Sequence, residues 1–178
     1  MSADRIARFM AFATIGTINV TQHLAASVLG NIKGADADLV AEETLCLVAT
    51  ATSRAAGLGL KDDPDIADAA SSAILNIPFS YRDYLIGGEM IDSRDPSLSE
   101  AADQVYTRLQ RKREFYSVHL PPNQFPGERL LNDKMGLWMG RVSPPGLPEM
   151  PTTRLEKLAL VAPVLTHLKL VIAYGKKG

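Results

Sequence analysis

The 178 residues are 46% hydrophobic and 22% charged, a balance that excludes disorder of the whole chain. It suffices for one ordinary domain spanning residues 1–178 without a disulfide or structural metal. The net charge of −1 hides an asymmetry: residues 35–103 carry 14 acids and 4 bases, whereas residues 104–178 carry 12 bases and 5 acids. Such a division points to an anionic partner, to attraction between the two halves, or to copies that pair head to tail.

Ser2 or Asp4 can cap a first helix with Ile6, Phe9, Met10 and Ala13 at helical spacing. Gly16 is expected to end it. The β-branched run Thr14 to Val20 adds a strand as an alternative. Helix is expected to resume through Leu24, Val28 and Leu29, with Gly30 and Gly34 as stops. Asp36 or Asp38 then caps a second helix carrying Val40, Leu47, Val48, Ala51 and Ala55, ended by Gly57 and Gly59. The single cysteine, Cys46, lies in its apolar part, where a buried thiol is expected.

Asp63-Pro64 pairs a cap with an N1 proline. It opens a helix with Ile66, Ala70, Ala73, Ile74 and Ile77 on one face, stopped by Pro78. In the aromatic segment 79–85, Ser80 and Asp83 can nucleate a single turn. Asp95-Pro96 and the Ser97-x-x-Glu100 capping box then predict a helix burying Leu98, Ala102, Val105, Leu109 and Tyr116, ending near His119. Residues 123–126 read as loop. Residues 128–141 read as a helix with Leu131, Met135, Trp138 and Met139 on one face.

Four prolines make 143–151 extended. Thr153 with Glu156 opens a last helix, apolar on nearly every side and so expected at the centre of the core. Pro163 should kink or split it, and alternation at Leu168, Leu170 and Ile172 leaves a late strand as the alternative. The fold expected is all-α: a bundle of about six to seven helices with a Pro-rich extended segment before the last. The alternative is α+β with short terminal strands. Neither Phe9–Gly30 nor Leu158–Tyr174 is a dense enough apolar run for a signal peptide or a span, so a cytoplasmic protein with no membrane span is expected.

The motifs of catalysis are missing. His23, His119 and His167 are far apart, no His-Glu-x-x-His or Cys-x-x-Cys occurs, and no glycine-rich phosphate loop or nucleophile elbow is present. Glu42 and Glu43 invite a metal-dependent hydrolase, but neighbours on a helix point about 100° apart. No metal, cofactor or catalytic residue is expected.

The segment that stands apart is 106–141. Arg108, Arg111 and Lys112 share a helix face, with Arg113, Tyr116, His119, Arg129, Trp138 and Arg141 following. Bases interleaved with aromatics could hold phosphate, carboxylate or an acidic protein. Bases near a helix C-terminus also simply complement its dipole, and Trp and Met at helical spacing often form core.

The function expected is a small helical interaction module, an adaptor, chaperone-like factor or assembly subunit. It would meet an acidic partner, or a second copy, through 106–141. One alternative is a small-ligand binder or enzyme with Tyr84, Tyr116, His119 and Arg129 converging on a pocket between helices. The other is a nucleic-acid-binding regulator, disfavoured by the pI of about 6.3.

Overall fold

The computed structural model describes residues 3–80, 96–144 and 154–177, with the side chains at 96–99, 101–102 and 154–158 excepted. The fold is all-α, and no strand occurs among the described residues. Six helices follow in order: α1 (Ala3–Asn31), α2 (Ala37–Gly59), α3 (Pro64–Leu75), α4 (Pro96–His119), α5 (Glu128–Val142) and α6 (Arg154–Lys177). A further helical stretch begins at 77–80. Both strand alternatives are overturned, since residues 14–20 and 168–172 lie inside helices. Residues 81–85 of the segment 79–85, the Ser97 and Thr153 capping boxes and residues 145–151 of the extended segment 143–151 lie outside the described residues or side chains.

Helix α2 is the central element, packing against all five other helices. Its composition explains why it can sit there. Val40, Leu47, Val48, Ala51 and Ala55 are fully buried, and its small residues leave room for neighbours on every side. Its buried threonines return their hydroxyls to their own helix: Thr44, Thr50 and Thr52 donate to the carbonyls of Val40, Cys46 and Val48 at 2.6, 2.7 and 2.8 Å. A buried hydroxyl left unpaired would cost about 1–3 kcal/mol, and this local bond removes that penalty. Cys46 is fully buried, and burial pushes its thiol up to about 12.

The start signals of α2 and α3 stand where expected, with one exchange of partner. Asp36 caps α2, accepting from the Leu39 amide at 3.0 Å. Asp63 occupies the cap position of α3 but caps nothing. Its carboxylate accepts instead from Arg5 at 3.1 Å, and the same guanidinium donates to the Gly175 carbonyl at 2.9 Å. One arginine therefore ties the start of α1 to the start of α3 and the end of α6. Helix α3 ends at Leu75, before Pro78, and α4 ends at His119.

One expected break is absent and one expected split does not occur. Helix α1 runs through Gly16 and α6 continues past Pro163, whereas α2 ends at Gly59 as expected. A glycine inside a helix costs only about 1 kcal/mol relative to alanine, and here packing outweighs it. A Cβ on Gly16 would stand 2.5 Å from Cε1 of His167, one on Gly59 would stand 2.6 Å from Ile172, and one on Gly175 would stand 2.7 Å from Leu60. These glycines let α6 lie close against α1 and α2. Only Gly34, between α1 and α2, takes a positive φ of 80° among the described residues, the left-handed turn that glycine favours. Pro163 lies in the open wall between α6 and α1, and Ala159, whose carbonyl loses its helical partner to the proline, is an exposed residue.

The last helix corrects a further expectation. Ala159–Lys177 has a mean hydropathy of 1.3, long and apolar enough to cross a membrane by length and composition, yet 33% of it is buried. Val161, Val164, Leu168 and Val171 face the core, whereas Ala159, Ala162, Thr166, Leu170 and Tyr174 face out. It is a surface helix with an apolar outer side, not the centre of the core.

Candidate functional site: a glutamate-centred network and an apolar groove

The basic segment 106–141 folds back on the acidic half of the chain. Glu42 and Glu43 are adjacent on α2, and their 100° divergence aims them at different partners. Glu42 accepts from Arg108 through Nε at 2.8 Å and Nη2 at 2.5 Å, and from Lys112 Nζ at 2.5 Å. Glu43, 1% exposed, accepts from Tyr116 Oη at 2.7 Å and from both Nε and Nη2 of Arg141 at 2.7 Å. Lys112 Nζ also stands 3.9 Å from Glu43. Two carboxylates thus hold three bases and a phenol from two other helices.

The electrostatics follow from this geometry. Burial raises the Glu42 carboxyl, but Arg108 and Lys112 outweigh it and hold the group below the usual carboxylate range. The glutamates raise the guanidiniums of Arg108 and Arg141. Burial first, and the Glu43 charge second, push the Tyr116 phenol well above its ordinary value. The shifts of Glu42, Arg108, Tyr116 and Arg141 all run away from neutral pH, as expected of a structural network. A group poised for proton transfer would titrate near the working pH instead.

The remaining residues of the segment separate. Arg113 lies 4.8 Å over the Phe79 ring, and Arg141 lies 4.1 Å over Phe115. His119 packs on Phe115 with centroids 4.4 Å apart. Trp138 is fully buried and donates to Thr44 at 3.2 Å, with Met135 and Met139 buried beside it. Arg111 and Arg129 are exposed and make no side-chain contact of these kinds among the described residues. Among the described residues no hydrogen bond, ion pair or ring contact joins Tyr116 or His119 to Arg129, and Tyr84 lies outside the described residues. A cleft of about 550 Å³ over the network is lined by Arg108, Arg111, Lys112 and Arg141, but also by Glu100 and Asp103.

A feature that the sequence reading did not single out lies between α1 and α6. The two helices run antiparallel, as the contacts of Arg5 with Gly175 and of Gly16 with His167 require. They enclose an open groove of about 620 Å³. Its floor is Gly16 and His167. Its walls are Phe12, Ile15, Asn19 and Val20 from α1 and Ala159, Ala162, Pro163, Thr166 and Leu170 from α6. Ile15 is 60% and Leu170 53% exposed.

His167 is buried, and its Nε2 lies 3.2 Å from Thr17 Oγ1, itself 3.5 Å from Thr52. Burial pulls the imidazole down to about 4, so the ring is neutral at ordinary pH. The one available signal in the sequence was the stretch without charge from Phe9 to Gly30, since a solvated helix face normally carries charge.

No group of three or more His, Cys, Asp or Glu side chains fit to hold a metal occurs among the described residues. Fold and sites together define a helical protein with a closed internal ion network and an open apolar groove. Comparison with protein-family models, with characterised proteins and with solved structures gives no match.

Proposed function

We propose that this protein is a helical interaction module, an adaptor or assembly subunit, whose contact surface is the groove between α1 and α6. The observation that carries the reading is a helix with Ala159, Ala162, Leu170 and Tyr174 exposed, beside a stretch of α1 from Phe9 to Gly30 that carries no charge. Exposed apolar surface that is contiguous and concave is a usual mark of a protein contact. Two antiparallel helices with small residues between them form the kind of groove that accepts a third helix. The basic segment offers less, because Arg108, Lys112 and Arg141 already have carboxylate partners within the chain.

A second reading keeps the contact on 106–141. The mixed-charge cleft beside Arg111 favours it, together with exposed Tyr106, Val118 and Phe125 nearby in the chain. The two readings separate by site-specific photo-crosslinking in the native cell. A photoreactive side chain at Ile15 or Leu170 is expected to trap a partner, and one at Arg111 is not. Crosslinks from Arg111 with none from the groove would move the contact surface to the second site.

A further inference from the structure

Resting on the reading of the α1–α6 groove as a contact surface, we infer that its occupant is an amphipathic helix of another protein, with a stripe of small apolar residues flanked by acidic ones. The length fits first. The groove extends from Phe12 and Leu170 to Val20 and Ala159, eight to eleven residues along each helix, or about 12–16 Å. That span matches two to three turns of a docked helix. The walls are low because Ala159 and Ala162 have almost no side chain, which brings a partner backbone close, while Ile15 and Leu170 stand up at the edges as anchors.

Among the described side chains of α1 and α6 the bases outnumber the acids. Lys169 is exposed next to Leu170, and the end beyond the stacked Phe12–Tyr174 pair is basic. There a second cleft of about 400 Å³ is lined by Arg5, Arg8 and Lys177 and by no acid. The one acid among the described side chains of α1 and α6 is Asp4, already paired with Arg8. Lys169, Lys176 and Lys177 form no ion pair among the described residues. Carboxylates on the partner would find these ammonium groups without displacing an internal contact.

The same features disfavour other occupants. A lipid surface would leave Asn19 and Thr166 without hydrogen-bond partners in the acyl layer, and the few bulky anchors give a weak insertion. A second copy docked groove to groove would bring another basic rim against this one.

The test uses the full chain with two synthetic helical peptides of about 18 residues. Both carry the same alanine and leucine stripe, with glutamate flanks in one and lysine flanks in the other. The glutamate peptide is expected to bind at least about tenfold more tightly and to weaken with added salt. Lys169→Glu should narrow that preference, and Leu170→Asp should abolish binding while circular dichroism shows the helices intact.

Equal binding of both peptides, lost in Leu170→Asp, would overturn the acidic-helix assignment and leave the contact surface standing. Binding that ignores Leu170→Asp would sink the surface itself. Failure of both peptides to bind also overturns the assignment. Co-sedimentation with anionic phospholipid vesicles in that case points to a membrane, and a concentration-dependent dimer abolished by Leu170→Asp points to a second copy.

Discussion

Replacing Glu43 by alanine is expected to lower the free energy of unfolding by about 3–5 kcal/mol, the range for removing one partner of a buried ion pair. The side chain is 1% exposed and accepts from both nitrogens of the Arg141 fork and from the Tyr116 hydroxyl. Its loss leaves a guanidinium half-buried over Phe115 and a phenol enclosed without a partner. Glu43→Gln should cost less, because an amide oxygen still accepts. Tyr116→Phe should cost least, about 1 kcal/mol for a single hydrogen bond. Urea denaturation with a constant m-value measures the series. A loss below about 1 kcal/mol for Glu43→Ala would mean that the network does not hold α2 to α4 and α5.

Adding one methyl group at Gly16 is expected to destabilise the fold by about 1–3 kcal/mol, despite the better helix propensity of alanine. The new Cβ would meet the His167 ring at 2.5 and 2.6 Å, and swinging the ring away into the groove would break its bond to Thr17. Helix α6 must then move away from α1, widening the groove between them. The sign of the coupling identifies the cause. Gly16→Ala and His167→Ala in one chain should be more stable than the sum of the single changes predicts, by at least about 1 kcal/mol. Strict additivity in thermal or chemical denaturation would place the strain elsewhere.

These two sites show where the sequence speaks and where it is silent. Helix boundaries written in adjacent residues are legible: Asp36, Asp63-Pro64 and the ends of α3 and α4 all follow from local chemistry. Gly16 misleads, because a local penalty of about 1 kcal/mol says nothing of a neighbour arriving from far along the chain. His167 lies 151 positions from Gly16 in the sequence. The glutamate network is half legible. Composition raises attraction between an acidic and a basic half, but only the fold shows that Glu42 and Glu43 diverge toward different helices.

Helix α6 is misread for a related reason. A helix apolar on every side has no periodicity to say which side is inward, so its length and hydropathy suit a core helix and a contact helix equally. The asymmetry appears only once Val161, Val164, Leu168 and Val171 are seen to face α1 and α2 and the opposite side is seen to be bare. The basic segment attracts attention for the opposite reason. Its charges are conspicuous in the sequence, and three of them are neutralised at home.

The claim that the contact surface is the α1–α6 groove is tested most directly by quantitative mass spectrometry of what co-purifies with three forms of the full chain. The unaltered protein sets the reference. The double variant Ile15→Asp, Leu170→Asp is expected to lose the reference partner, and the double variant Arg111→Glu, Arg129→Glu to retain it at a level close to the reference. All four positions are exposed, so each variant should melt near the parent temperature. Retention by the groove variant together with loss from the basic-segment variant would contradict the account.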